Sequence, residues 1–141
     1  MATDFEKHTN DIYAAFNAHD LKKFGSLHTD DVIVENVATG VVSRARQEGL
    51  ANIKLMIDAI PDLKLELTSS FTSGNRQCEE YLMRGTHKGD LQGIPATGKS
   101  LSVRGVLVRE LREGKTCRVT QYTDYATIMR QLGVLPSPPQ K

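Results

Sequence analysis

The stretch RGTHKGDLQGIPATGKSLSVRGVLVRELREGKTCRVTQYTDYATIMRQLG, Arg84 to Gly133, decides the fold. It reads as a strand end, a long turn, two further strands and a short closing helix. LSVRGVLVREL and TCRVTQYTDY are rich in β-branched and aromatic residues, and Glu113-Gly114 between them is a tight hairpin signal. Ile128 and Leu132 lie one helical turn apart, and Gly133 is placed to end that helix. Asp124 sits where the last strand gives way to the helix, between Tyr122 and Tyr125, a position from which a carboxylate is expected to face a cavity beneath a curved sheet.

The same stretch contains GIPATGKS, Gly93 to Ser100, a formal match to the phosphate-binding loop pattern. That loop needs a buried strand before it and a helix after it, because the helix N-terminus supplies the N–H groups that hold the phosphates. Here THKGDLQ precedes it and a period-two strand follows, so Pro95 and the glycines describe a hairpin turn. No nucleotide site is predicted.

Upstream, the first half is helical. Thr3 with Glu6 resembles a capping box, and Phe5, Ile12 and Phe16 recur at helical spacing to about Ala18. Asp20 caps a short second helix with Leu21, Phe24 and Leu27 on one side. Asp30-Asp31 ends it, and VIVENV from Val32 reads as a strand. Gly40 marks a turn, and a third helix runs from about Ser43 to Pro61 with Leu50, Ile53, Ile57 and Ile60 as its stripe. The period then switches to two: LKLELTS, a turn at Ser73-Gly74-Asn75, then CEEYLMRGTH. Helices followed by a mostly antiparallel meander predict an α+β cone, with N-terminal helices packed on the concave face of a curved sheet and a pocket between.

The chain has 141 residues and a formal net charge of +1. These values predict one domain over residues 1–135, followed by a proline-rich mobile tail at 136–141. Near-neutral charge and the absence of tryptophan give no reason to expect nucleic acid or a membrane surface. The polar start MATDFEKHTND is not a secretory signal, and no apolar run approaches the roughly 20 residues that span a bilayer. The expectation is a cytoplasmic protein in which Cys78 and Cys117 remain free thiols. His8, His19, His28 and His87 show no metal-ligand spacing, so no metal is expected.

From about Gly85 to Gly133 the chain resembles a known family. GTHKGDLQGIPATGKSLS, REGK and YTDYATIMRQLG are similar to the GxHxG, GxPxT, DGK-type hairpin and QLG ending of SnoaL-like polyketide cyclases, a branch of the nuclear transport factor 2-like cones. YAAFNAHD and LHTDD fit the same group more loosely. The resemblance implies a homodimer paired through the sheets and a cofactor-independent intramolecular aldol condensation on an apolar, oxygenated small molecule. It puts the family's catalytic Asp on Asp124. Two positions depart from the pattern: Tyr122 stands where cyclases have Trp, and Leu107 where they carry a pocket His. The isomerases of the superfamily place their base at Asn36, which cannot abstract a proton, and CEEYLMRG lacks the Arg-x-Asp of the epoxide hydrolases.

Each candidate also has a plainer role. Asp124 is either a general base, which burial would raise toward neutrality, or an N-cap, which donors would hold low. His87 either polarises a carbonyl or fastens a strand end. Tyr81 and Met83, in phase with Glu79, line the pocket or belong to the core. Arg104 and Arg109 fall on opposite faces of one strand. Arg104 is preferred as the inward one, and an inward arginine needs a carboxylate or an anionic ligand. Tyr13 and Asn52 are hydrogen-bonding candidates on the first and third helices. A non-catalytic binding module with the same cone is the alternative to an enzyme.

Overall fold

The computed structural model describes residues 4–136. Helix α1 (Asp4–Asn17) presents Phe5, Ile12 and Phe16 to the interior, as the helical spacing predicts. The expected cap at Thr3 lies outside the described residues, as does the tail from 137 onward. Helix α2 (Leu21–Ser26) is capped by Asp20, whose carboxylate accepts from the Lys23 N–H at 3.0 Å. Strand β1 (His28–Asn36) starts four residues earlier than its β-branched core suggests: Asp30 and Asp31 lie inside it, beside a register shift. A three-residue strand, β2 (Val41–Ser43), was not anticipated. It takes Ser43 from the predicted start of the third helix, and α3 runs Arg46–Ala59.

The meander follows as β3 (Lys64–Ser73), β4 (Arg76–Thr86), β5 (Ser100–Arg112) and β6 (Lys115–Thr123), with α4 (Tyr125–Gln131) closing the chain against β5. The six strands form one sheet in the order β2-β1-β6-β5-β4-β3, antiparallel except where β1 lies parallel to β6. The β5–β6 hairpin turns at Glu113 and Gly114, with φ of +51° and +77°, the two positive angles that a two-residue hairpin of matching twist requires.

GIPATGKS is a turn. His87 N–H donates to the Lys99 carbonyl and Gly98 N–H donates back to that of His87, each within 2.9 Å. Strand β5 then begins at Ser100, so no helix N-terminus is available to hold a phosphate.

The core lies between the helices and the concave face of the sheet. Leu101, Val103, Gly105, Leu107 and Arg109 point inward from β5, and Gln77, Glu79, Tyr81 and Met83 do so from β4. This alternation corrects the expectation for the two arginines: Arg109 is inward and Arg104 is exposed. Both thiols are free and half-buried. Among the described residues no helix is long and apolar enough to cross a membrane.

Candidate functional site: a polar-ended cavity in the cone

Helices and sheet enclose a cavity of about 450 Å³. Ile12, Tyr13 and Phe16 of α1, Phe24 of α2 and Leu50, Ile53 and Met56 of α3 form its helical side. Met83, Leu101, Leu107 and Val119 form its sheet side. The α3 residues are only half-buried because they border this space rather than solid core. Exposed Leu55 and Val41, with Asp90, Gln92 and Tyr125, surround the mouth; the Tyr125 hydroxyl donates to the Gln92 side-chain oxygen.

The far end is polar. Glu79, 0% exposed, accepts from Arg109, 3% exposed, through Nε at 2.7 Å and Nη2 at 3.2 Å. The Tyr13 hydroxyl donates to the same carboxylate at 3.1 Å. Arg109 Nη1 donates to Thr116 Oγ1 at 3.0 Å, and that hydroxyl lies 2.7 Å from His8 Nε2. A hydroxyl can accept twice, so it either donates to an unprotonated Nε2 or accepts from Nε2–H, according to the tautomer of the ring. Burial, reinforced by the Arg109 charge, pushes the His8 pKa down to about 4, which agrees with a neutral ring. Burial also raises the Tyr13 phenol well above its usual range, and the Glu79 carboxylate adds to the effect. An unpaired charge here would cost several kcal/mol, so each group fixes the others.

A second cluster supports the sheet wall. Tyr81 is buried, and its hydroxyl accepts from Gln121 Nε2 at 2.8 Å and lies 3.2 Å from Thr123 Oγ1. Gln121 and Thr123 line the cavity. Gly105 makes room for the phenol: a Cβ there would sit 2.5 Å from Tyr81 Cζ and Oη.

The candidates read from sequence divide between inside and outside. Tyr13, Asn36, Asn52, Met83 and Leu107 line the cavity. Asn36 also closes a turn, its side-chain oxygen accepting from the Ala38 and Thr39 N–H groups. Tyr81 points inward as expected but supports Gln121 and Thr123 instead of forming the lining. His87 is fully buried away from the cavity, and its Nδ1 accepts from the Thr97 N–H at 3.3 Å while lying 2.9 Å from the Thr97 hydroxyl, so it fastens the long turn. Arg104 and Tyr122, which is 51% exposed, stand on the outer face because they belong to the opposite phase of their strands.

Asp124 does not face the cavity. It is the N-cap of α4, accepting from the Thr127 hydroxyl at 2.6 Å and the Thr127 N–H at 3.1 Å. Those bonds hold its exposed carboxyl below the usual carboxylate range. The strand's alternation ends at Thr123, and the capping geometry turns the next side chain outward. Among the described lining residues Asp90 is the one carboxylate, and its Oδ1 accepts from the Gly93 N–H at 2.9 Å. No group of three or more His, Cys, Asp or Glu among the described residues is arranged to hold a metal.

Sequence reading missed Arg109, Glu79 and Thr116 as a unit, and His8 and His28 with them. One signal was available: Glu79 lies in phase with Tyr81 and Met83, and an inward carboxylate calls for an inward cation.

The fold is widely shared among solved structures. TsrD from Streptomyces laurentii matches with a TM-score of 0.84 at 23% identity, covering 94% of this chain and 96% of that one. IdmH from Streptomyces antibioticus, a proposed polyketide cyclase, matches at 0.79 and 24% identity, covering 91% and 97%. AclR from Streptomyces galilaeus, a proposed hydroxylase, matches at 0.84 and 21% identity, covering 96% and 84%. At these identities the likeness shows the fold alone. No curated protein sequence matches the chain. The family model of the SnoaL-like polyketide cyclases matches residues 7–132, nearly the whole described structure. The chain belongs to the SnoaL-like polyketide cyclase family.

Proposed function

We propose that this protein binds an apolar, oxygen-bearing small molecule of fused-ring size inside the cone, as a ligand-binding module. The observation that carries this reading is the cavity itself: about 450 Å³, apolar along both sides, with a few convergent polar groups at one end. The test is calorimetric titration with naphthalene of the wild-type chain and of Leu107→Trp, which puts an indole into the space. Binding lost in a folded Leu107→Trp protein supports the reading; equal binding by both proteins overturns it.

A second reading is acid–base ring closure by intramolecular aldol condensation, with Asp124 as the acid/base. Family membership favours it. It requires the carboxylate to leave Thr127 and turn over the cavity rim, and its pKa to rise from the depressed value the cap imposes. Undiminished turnover of a polyketide-like ester by folded Asp124→Asn protein would remove it.

The proposal includes a homodimer through the outer sheet face. Phe71 pairs with Cys78, which pairs with Val108, and Tyr122 pairs with Val106 in the adjacent row; Phe71 is 66% exposed. Apolar side chains presented on an open sheet face suit a self-complementary contact. A wild-type dimer in sedimentation, reduced to monomer by Tyr122→Arg, supports it; a wild-type monomer contradicts it.

A further inference from the structure

The polar end of the cavity holds one donor and one acceptor that the internal network leaves over. Arg109 uses three of its five guanidinium N–H bonds on Glu79 and Thr116, and lines the cavity. One N–H on each terminal nitrogen has no bond to the described residues. Thr116, which accepts from Arg109, is the backbone partner of His28 across the parallel β1–β6 pair. His28 thus lies in the same row of the sheet as Thr116, and the Arg109 charge acts on its ring. It is buried and also lines the cavity, packed against the Phe24 ring at a centroid distance of 4.6 Å.

The tautomer of His28 follows from its one bond. Nδ1 lies 2.7 Å from the Phe24 carbonyl oxygen, which can only accept, so Nδ1 carries the hydrogen and Nε2 keeps a lone pair. Burial, with the Arg109 charge adding, pushes the ring's pKa down to about 3, so it stays neutral at ordinary pH. Glu79 balances the guanidinium charge, so this end favours a neutral group over an anion.

We propose that Arg109 and His28 form a subsite for a hydroxyl group of the bound ligand, an enol, phenol or alcohol whose oxygen accepts from the guanidinium while its hydrogen is donated to His28 Nε2. A ketone or ether satisfies only the donor, and a hydrocarbon neither. A buried group without its partner is penalised, so the site discriminates by leaving something unmatched. Arg109 and His28 are thus specificity-determining residues. The inference rests on the cavity reading above and names the chemistry that the cavity selects.

The test uses three probes of one ring system: 2-naphthol, 2-methoxynaphthalene and naphthalene, titrated into the full chain at neutral pH. The expected order is 2-naphthol tightest, by about tenfold over 2-methoxynaphthalene, the effect of one neutral hydrogen bond made or left unmade. In His28→Phe, which keeps an aromatic ring against Phe24, naphthalene should still bind and the preference for the hydroxyl should vanish. If that variant fails to fold, the wild-type series decides alone. Equal binding of the three probes by wild-type protein, or a preference that survives in folded His28→Phe protein, overturns the subsite while leaving the cavity reading intact. Failure of all three probes to bind overturns both.

Discussion

Replacing Arg109 by methionine removes a buried cation and leaves its partner behind. Glu79 is 0% exposed, and after the change its only remaining partner among the described residues is the Tyr13 hydroxyl at 3.1 Å. Thr116 also loses its donor, although its hydroxyl still reaches His8. Breaking one side of a buried ion pair costs about 3–5 kcal/mol, because the surviving charge stays desolvated. Domains of this kind hold only about 5–15 kcal/mol in total, so the single variant forfeits a large share. At about 3 °C per kcal/mol for a chain near this size, the melting temperature should fall by about 10 °C. The companion variant Arg109→Met/Glu79→Leu removes the stranded charge. It should recover most of the loss, short by about 1 kcal/mol for the Tyr13 hydroxyl left without an acceptor. Urea unfolding at pH 7, followed by far-UV circular dichroism, gives both free energies and closes the double-mutant cycle with Glu79→Leu. A single variant within 1 kcal/mol of wild type, or a double variant no more stable than Arg109→Met, would show that Glu79 does not depend on Arg109.

Acid should act through the two buried histidines. The unfolded chain takes up their protons near pH 6.5, whereas the folded chain resists until about 4 at His8 and 3 at His28. Stability is therefore complete above about pH 7 and is lost as pH falls from 6.5 toward 4, each ring contributing at most about 1.4 kcal/mol per pH unit; a level melting temperature from pH 7 to 5 contradicts this. At the last helix, Asp124→Asn keeps an oxygen for the Thr127 N–H and should lower stability less than Asp124→Ala, which should cost about 1 kcal/mol, as a capping role requires; equal effects in thermal melts would exclude the cap. Lys99 is solvated in the turn, so Lys99→Ala should stay within about 0.5 kcal/mol of wild type. Saturable ATP binding that this change abolishes would contradict the turn assignment.

The meander and the start of α2 were legible in the sequence because their signals are local: alternation in LKLELTS, the Glu113-Gly114 hairpin, the Asp20 cap. The phase of β4 was legible too, since Tyr81 and Met83 separate cleanly from their neighbours. Strand β5 carried no such signal. Leu101, Val103 and Leu107 lie on one face and Val106 and Val108 on the other, so apolar residues occur in both phases and the inward arginine could not be chosen by pattern alone. What selects Arg109 is a carboxylate on the neighbouring strand, 30 residues away, and non-local pairing leaves no mark on a single segment. The outward turn of Asp124 is a different case, since its cap on Thr127 is local and was one of the two roles its sequence position offered. Alternation predicts a side chain's direction only while the strand lasts, and a cap obeys the helix that follows. Strand β2 escaped notice because three residues between a turn and a helix form no period.

On the proposed function, the cone's interior is where this protein meets its ligand. A crystal structure of the wild-type chain grown with 2-naphthol tests it most directly. The account predicts the ring between Phe16, Leu107 and Val119, with its oxygen at hydrogen-bond distance from Arg109 and His28. An empty cavity, with the probe bound instead on the outer sheet face beside Tyr122, would contradict it.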